Sequence, residues 1–222
     1  MLFGVVPVKN LVDSKRRLST VFTPLERQRL TLAMLEDVLA ALKTSVADKT
    51  LVVGEDAQIQ KVAENCNALF LLTTSDGLNP AIEEATDWCV QQDADSVMIV
   101  PADIPLLEAE DVNSIVRLAS NDRAVVLAPS VNWGTNALLQ SPPKLIPACF
   151  GPRSFIEHIR EAYVRGISVR LHFSEELATD IDSAKDLKKL FSVSNNTFSR
   201  EVLEEIIDKN LKARKFFANK NQ

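Results

Sequence analysis

The chain has 222 residues, of which 46% are hydrophobic and 25% are charged, and its formal net charge is −5. This composition is typical of a globular protein of one domain, or of one domain with an appendage, and it excludes disordered and fibrous proteins. The net negative charge gives no general attraction to nucleic acid or to anionic lipid, so we expect neither a nucleic-acid partner nor a membrane partner.

Alternating strands and helices are predicted along most of the chain. The apolar run at residues 2–8 predicts a buried strand, and Thr23, Pro24 and Glu26 predict the capped start of a helix that runs to about residue 43. The same reasoning predicts strands at 49–54, 68–72, 96–101, 124–128, 135–140 and 167–173, and helices at 56–65, 79–91 with Asn79 as its cap, 108–119 and 152–165. This alternation predicts an α/β fold with a doubly wound, mostly parallel sheet flanked by helices.

The composition changes after residue 182. A short helix is predicted at 183–191, a polar linker at 192–197 and a last helix with Ser199 as its cap. We therefore divide the chain into a domain at 1–192 and a C-terminal helical arm at 193–222. The arm carries an apolar stripe and basic residues, which fit either a subunit interface in a homodimer or packing back on its own domain.

Several common catalytic and nucleotide-binding motifs are absent from the sequence. The six glycines form neither GxGxxG nor GxxxxGK, so a nucleotide would have to be held by charged side chains and helix ends. The two histidines have no carboxylate motif between them, which argues against an HExxH zinc site, and there is no GxSxG motif. The three cysteines form no CxxC pair and the N-terminus has no signal-peptide pattern, so we expect a cytoplasmic protein.

The first candidate site is the loop after the first predicted strand. In an open α/β sheet, ligands bind at the carboxyl ends of the strands, and this loop carries Lys9, Lys15, Arg16 and Arg17. Four cations at a strand end suit a triphosphate, because arginine gives bidentate contacts to phosphate oxygens and lysine gives a point charge. The alternative is a solvated basic loop without a ligand.

Acidic residues form the second candidate site. Asp103 follows an apolar strand and lies between Pro101 and Pro105, which suits a divalent metal that faces a phosphate; a turn or helix cap is the alternative. Asp180 and Asp182 are two residues apart, so both carboxylates face one side of an extended segment, where they need a cation nearby. The alternative is that either aspartate caps the helix that follows.

Two further segments offer polar groups. Thr135 and Asn136 bring a hydroxyl and an amide to the start of a strand, where a tight turn is the alternative. Gly151 and Ser154 lie at the N-terminus of a predicted helix, whose free N–H groups and partial positive charge suit a phosphate or a carboxylate, although ordinary capping explains them equally well. His158 lies one turn further along this helix, where a lone histidine is more often structural than catalytic.

Six short segments occur in the order of a known enzyme family: PVKNLVDSKRRL at 7–18, GLN at 77–79, PADIPL at 101–106, GTN at 134–136, FGPRSF at 150–155 followed by His158, and DIDSAKDL at 180–187. Together they resemble the 2-phospho-L-lactate guanylyltransferases, which act in the synthesis of the deazaflavin coenzyme F(420); some of their relatives prefer phosphoenolpyruvate. The resemblance implies a nucleotide-diphospho-sugar-transferase-like fold of the GT-A type, with GTP as donor and Mg²⁺ as metal.

The resemblance also implies roles for single residues. The metal would be bound by Asp103 together with Asp180 or Asp182. The phosphorylated three-carbon acid would be bound by Thr135, Gly151 and Ser154. GTP would be bound by Lys9, Lys15, Arg17, Leu78 and Asn79. The catalytic residues would be Lys15, Arg17 and Asp103. Pro80 departs from the family pattern, because it removes a backbone donor next to the implied guanine pocket.

The implied reaction transfers GMP from GTP to the phosphate of 2-phospho-L-lactate or phosphoenolpyruvate and releases pyrophosphate. Its nucleophile is already an anion at neutral pH, so no serine–histidine base is needed. One alternative is another nucleotidyltransferase of the same fold, such as a molybdenum-cofactor guanylyltransferase or a cytidylyltransferase, although those usually carry a glycine-rich first loop. A second alternative is a non-catalytic nucleotide-binding protein.

Overall fold

The structure, a computed structural model, describes residues 1–8, 10–119, 123–191 and 197–218. The strands are β1 Leu2–Pro7, β2 Lys49–Gly54, β3 Leu69–Leu72, β4 Ser96–Ile99, β5 Ala124–Pro129, β6 Thr135–Ser141 and β7 Ser168–Leu171. The helices are α1 Pro24–Lys43, α2 Ala57–Asn65, α3 Leu78–Gln91, α4 Ala109–Leu118, α5 Ser154–Val164, α6 Phe198–Lys209 and α7 Leu211–Ala218. The helix predicted at 183–191 is a 3-10 helix at Asp186–Phe191.

The strands form one seven-stranded sheet in the order β3-β2-β1-β4-β6-β5-β7. All of them run in one direction except β6, which is antiparallel to both of its neighbours. The connection from β5 to β6 spans only residues 130–134, and a parallel crossover needs about a dozen residues, so β6 has to reverse. The predicted doubly wound, mostly parallel sheet is therefore confirmed.

Helices cover both faces of the sheet. α1, α2 and α4 pack on one face, where Val6 of β1 and Met98 of β4 are fully buried, and α3 and α5 pack on the other face, where Phe3 and Val97 are fully buried. Burial on both faces explains why β1 and β4 are nearly continuous apolar runs in the sequence. Within the described residues, no helix is both long enough and apolar enough to cross a bilayer.

The strand order changes direction between β1 and β4. β2 and β3 lie on one side of β1, and the later strands lie on the other side. In open α/β sheets, ligands bind in the crevice outside the carboxyl ends of the strands at such a switch point. The loops that follow β1 and β4 therefore border the expected ligand site.

Two predicted helix caps are wrong, whereas the capping box at the start of α1 is confirmed. Gly77 rather than Asn79 is the N-cap of α3, because the Asn79 side chain forms hydrogen bonds with both backbone polar groups of Phe150. Thr197 rather than Ser199 caps α6, because its hydroxyl accepts a hydrogen bond from the third residue of that helix.

The C-terminal arm packs on its own domain. α6 lies against α1, and Leu203 and Ile206 are buried in an apolar cluster that also contains loop residues from the carboxyl edge of the sheet. Those loop residues are Leu18, Phe22, Leu106, Ile181 and Leu187. The apolar stripe of the arm is thus largely used within one chain, and the homodimer stays a prediction. The predicted boundary at residue 192 lies outside the described residues.

Asp37 of α1 joins the arm to the domain by capping α6 from outside. Its carboxylate accepts hydrogen bonds from the backbone N–H groups of Phe198 (2.7 Å) and Ser199 (3.0 Å). A helix leaves its first four N–H groups without an intrahelical partner, so this contact satisfies two of them. Burial disfavours the charged form and raises the pKa of Asp37 to about 6, although the hydrogen bonds from Ser199 and Phe198 act in the opposite direction.

Replacing Asp37 with asparagine should change how stability depends on pH. Between about pH 4 and 6 the folded protein keeps a proton on Asp37 that the unfolded chain has lost, so the free energy of unfolding falls as the pH rises through this window. From pH 4.5 to 7.5 we expect the free energy of unfolding to fall by about 2 kcal/mol more in the wild type than in Asp37→Asn. Urea denaturation at both pH values measures this difference. The same pH dependence in both proteins would contradict the prediction.

Candidate active site

The carboxyl edge of the sheet holds a cavity of about 530 Å³ at the switch point between β1 and β4. This volume lies within the range of sites for small molecules. The cavity is lined by most of the candidate residues from the sequence, namely Lys15, Leu78, Asp103, Thr135, Gly151, Ser154, Asp180 and Asp182. The fold thus brings segments that are far apart in the sequence to one cavity.

The loop after β1 is anchored to the core. It contains two 3-10 turns, Leu11–Asp13 and Arg16–Leu18, and both Leu11 and Leu18 are buried. Lys15 lies between the turns with φ = 48°, in the left-handed region, and its side chain is only 7% exposed. A solvated basic loop therefore does not describe the environment of Lys15.

A backbone hydrogen bond joins the two acidic segments. The N–H of Ile181 donates to the carbonyl of Asp103 at 2.9 Å, and the Ile181 side chain is fully buried. Its neighbours Asp180 and Asp182 both line the cavity, as the spacing of two residues in an extended segment predicts. The carboxylate of Asp186 accepts hydrogen bonds from the backbone N–H groups of Asp182 (3.3 Å) and Ser183 (2.7 Å) at the start of the turn that follows.

The ammonium group of Lys15 lies between two of the carboxylates. Its Nζ is 2.8 Å from Asp103 Oδ2 and 2.8 Å from Asp182 Oδ1. Burial alone would lower the pKa of Lys15, but the two carboxylates outweigh it, so this pKa is raised above its ordinary value. Burial raises the pKa of Asp180, and the negative charges of Asp103 and Asp182 add to this effect. Lys15 therefore offsets the repulsion among three neighbouring carboxylates.

The acidic residues fit a magnesium ion that is shared with a substrate. Magnesium is usually held by one or two carboxylates, while waters and substrate phosphates complete its coordination. Asp103 and Asp182 already converge on one cationic group, and Asp180 lies on the same wall of the cavity. Across the part of the chain that the structure describes, no three His, Cys, Asp or Glu side chains form a ready metal cage.

Two hydroxyl groups form a second part of the cavity wall. The Oγ of Ser154 is 3.1 Å from the Oγ1 of Thr135, and both side chains are largely buried. Gly151 has φ = 146°, where other residues are strained, and nothing lies within 4 Å of the position that a Cβ would take. The backbone at Gly151 is therefore open to close approach by a ligand.

The N-terminus of α5 differs from the prediction in one respect. The N–H of Ser154 donates to the carbonyl of Gly151, and the N–H of Phe155 donates to the carbonyl of Trp133. The expectation of free N–H groups is therefore wrong at these two positions. What this helix offers to the cavity is the hydroxyl of Ser154.

Two of the predicted site residues that the structure describes, Asn79 and Arg17, are not on the cavity wall. Asn79 holds the backbone of Phe150, so it shapes the wall from behind. The Arg17 side chain is 78% exposed, and its Nη1 is 3.8 Å from Asp182 Oδ2. Lys9 lies outside the described residues.

The other residues that line the cavity include Ser130, to which the sequence gives no role, and Asn136, whose amide the sequence offers without a ligand. The Ser130 hydroxyl accepts a hydrogen bond from the N–H of Gly134 at 2.9 Å, and a Cβ at Gly134 would lie only 2.8 Å from that oxygen. Asn136 belongs to the GTN segment, which the sequence marks as polar. No sequence signal identifies Ser130, because only the turn between β5 and β6 brings it to the wall.

Comparison with solved structures defines the class of fold. A candidate nucleotide-diphospho-sugar transferase from Desulfovibrio desulfuricans superposes with a TM-score of 0.76 over 97% of each chain, at 15% sequence identity. The chain therefore has the fold of that class, and the site lies where such a fold binds ligands. A family model described as guanylyl transferase CofC like matches residues 3–214, and the chain belongs to this family.

Curated relatives agree with the family. A phosphoenolpyruvate guanylyltransferase from Rubrobacter xylanophilus is 38% identical over 190 residues, which cover 85% of this chain and 93% of the relative. A 2-phospho-L-lactate guanylyltransferase from Methanothermobacter thermautotrophicus is 37% identical over 204 residues, which cover 91% of this chain and 90% of the relative. The chain is therefore an enzyme, a nucleotidyltransferase of the guanylyltransferase type. These matches support the guanylyltransferase prediction and none of its alternatives.

Replacing Lys15 with methionine should make the nucleotide-free protein bind Mg²⁺ more tightly. Lys15→Met removes the ammonium group that neutralises Asp103 and Asp182, so a divalent cation no longer competes with it. We expect the magnesium concentration for half-maximal thermal stabilisation to fall about tenfold. Lys43→Met, at an exposed position on α1, is the matched control and should behave as the wild type. An unchanged or higher magnesium requirement in Lys15→Met would contradict this account of the site.

Proposed function

We propose that the chain transfers the guanylyl group of GTP to the phosphate of 2-phospho-L-lactate or phosphoenolpyruvate and releases pyrophosphate. One observation carries the proposal: a single cavity combines a cluster of Asp103, Asp182 and Lys15 with a pocket of hydroxyls from Thr135 and Ser154. The cluster suits a metal-bound triphosphate, and the hydroxyls suit a second, smaller anion. The names of the curated relatives support the choice of both substrates.

The chemistry needs no protein base. An oxygen of the acceptor phosphate attacks the α-phosphorus of GTP, a new P–O bond forms, and the bond to the oxygen that bridges to the β-phosphate breaks, so that pyrophosphate leaves with the electron pair. The attacking oxygen is already ionised at neutral pH. His158 lies next to the hydroxyl pocket but is fully buried, and the reaction does not need it as a base. The task of the protein is to hold two anions together and to offset their charge.

The triphosphate and the leaving pyrophosphate are assigned to Lys15 and Arg17. Lys15 lies on the cavity wall, and Arg17 lies near Asp182 with an exposed guanidinium that has room to contact phosphate oxygens. Lys9 is proposed for the same triphosphate on the family resemblance alone. Leu78, on the wall, and Asn79, behind it, are proposed for the guanine and ribose.

Asp103 and Asp182 are the pair that we propose for Mg²⁺, because these two carboxylates already share one cation. Asp180, on the same wall, completes the acidic set. When bound, the metal supplies positive charge that offsets the charge on the phosphate oxygens. Lys15 would then no longer be needed between the carboxylates, and its ammonium group could pair with the triphosphate.

The acceptor is assigned to Thr135, Gly151 and Ser154. The hydroxyl pair can donate a hydrogen bond to a carboxylate or phosphate oxygen, and the open backbone at Gly151 permits close contact. The two acceptors differ only in the hybridisation of one carbon, so the experiment compares both. The cytoplasmic location and the homodimer stay predictions from the sequence.

Pyrophosphate release in the presence of GTP, Mg²⁺ and each acceptor tests the proposed function. We expect release that requires both GTP and one of the acceptors, with a product whose mass equals that of the acceptor joined to GMP. CTP in place of GTP should be at least about tenfold slower, because the proposed base pocket selects guanine. No release with either acceptor would refute the proposal.

Replacing Asp103 with asparagine keeps the shape of the side chain and removes one proposed metal ligand. We expect kcat/KM to fall by about 100-fold or more, since charge neutralisation at a phosphate commonly contributes several kcal/mol. Glu64→Gln, at an exposed position on α2, is the matched control and should retain activity. Normal activity in a folded Asp103→Asn protein would remove Asp103 from the metal site.

A further inference from the structure

His158 of α5 is fully buried beside the hydroxyl pocket. Its Nδ1 is 2.9 Å from Thr135 Oγ1, and its Nε2 is 3.0 Å from the backbone nitrogen of Cys149. The imidazole ring also packs edge-on against Phe150, with 5.0 Å between the ring centroids. Both ring nitrogens therefore have a partner, and one of these partners is a hydroxyl of the cavity wall.

The two contacts determine where the imidazole carries its proton. A backbone N–H can only donate, so Nε2 accepts from Cys149 and carries no hydrogen. Burial lowers the pKa of His158 to about 4, so the ring is neutral near pH 7 and has a single N–H. That N–H is on Nδ1, which therefore donates to Thr135 Oγ1.

The direction of the hydroxyl groups follows from this donation. Thr135 and Ser154 together have two hydroxyl hydrogens, and the hydrogen bond between their oxygens uses one of them. The protonated Nδ1 of His158 cannot accept the other. Since both residues line the cavity, the second hydrogen is available there as a donor, which suits an oxygen atom of an anion.

His158 also holds the chain segment that leads into α5. Its Nε2 fixes the N–H of Cys149, its ring packs on Phe150, and Gly151 is the next residue. The His158 side chain thus contacts Thr135 of β6 through one ring nitrogen and holds residues 149–150 through the other ring nitrogen and the ring itself. Of the proposed acceptor residues, Thr135 contacts the ring directly, Ser154 is linked to it through Thr135, and Gly151 follows Phe150.

We propose that His158 is a positioning residue for the phosphorylated acid, acting through the hydroxyls of Thr135 and Ser154 and not by contact with the acid. The inference rests on the proposed function and names a residue that sets the affinity for the acceptor. GTP is assigned to a different part of the cavity, near Lys15 and Leu78. Changes at His158 should therefore affect the acceptor and leave GTP almost unaffected.

Three replacements separate the two hydrogen bonds of the ring. His158→Phe keeps a buried ring and removes both bonds. His158→Asn places an amide near the position of Nδ1, where it can still donate to Thr135. His158→Gln places an amide near the position of Nε2, where it can still accept from Cys149. His172→Asn, at the other histidine of the chain, is the matched control.

The readouts are the KM values for acceptor and GTP and the dissociation constant of phosphoenolpyruvate, measured by calorimetry with Mg²⁺. We expect His158→Phe and His158→Gln to weaken acceptor binding roughly tenfold or more, because Thr135 Oγ1 loses the hydrogen bond that holds its hydroxyl in place for the acid. His158→Asn should recover most of this loss. The KM for GTP should stay within about twofold, and kcat should change less than the acceptor KM. His172→Asn should leave both KM values unchanged.

Several outcomes would overturn the inference. One is an unchanged affinity for the acceptor in His158→Phe. Another is an equal loss of affinity for GTP and for the acceptor. The third is recovery of acceptor affinity by His158→Gln and not by His158→Asn. If the wild type shows no turnover, the proposed function fails, and the calorimetric affinity for phosphoenolpyruvate still decides the role of His158. If the wild type does not bind phosphoenolpyruvate at all, both the proposed function and the role of His158 are overturned.

A double-mutant cycle keeps the test decisive if His158→Phe does not fold. Because His158 acts through Thr135, adding His158→Gln to Thr135→Val should cause no further loss of acceptor affinity. Additive losses in the double variant would show that His158 acts by another route and would overturn the inference.

Discussion

The site depends on the placement of one ammonium group among three carboxylates. Asp103, Asp180 and Asp182 line the same cavity, and the Lys15 ammonium lies 2.8 Å from an oxygen of both Asp103 and Asp182. Like charges this close are unstable without a cation, so the nucleotide-free protein supplies one from its own chain. Under the proposed function, a divalent metal would take over this neutralising role when a triphosphate binds in the cavity.

The carboxylates converge because of the backbone and apolar contacts behind them. The Ile181 N–H donates to the Asp103 carbonyl, and the Ile181 side chain is buried in the cluster that also holds Leu18 and Leu106. This cluster is completed by Leu203 and other apolar residues of the arm. The arm therefore packs beneath all three loops that supply charged groups to the site, so its stability and the geometry of the site share one apolar core.

The sequence predicts the fold well because the strongest patterns come from burial. β1 and β4 are nearly continuous apolar runs, since helices cover both sheet faces, and the short connection before β6 limits that strand to an antiparallel position. The errors fall where a polar side chain has a distant partner. Asn79 has the pattern of a helix cap, but it bonds the backbone of Phe150, which is close only in three dimensions.

The sequence predicts which segments form the candidate site, but it does not predict how their side chains are arranged within it. Sequence order and polar residues after strands indicate which loops meet at the switch point. They do not distinguish the buried Lys15 from the exposed Arg17, because that difference depends on the two 3-10 turns around Lys15. Nor do they show that His158 supports the hydroxyl pocket, since its contacts with Thr135 and Cys149 join separate elements.

A crystal structure of the chain with Mg²⁺ and a non-hydrolysable GTP analogue tests the central claim most directly. We expect the metal on Asp103 and Asp182, with the Lys15 ammonium moved from its place between them to the triphosphate. A structure in which Lys15 still bridges both carboxylates, while the nucleotide is bound away from them, would contradict it.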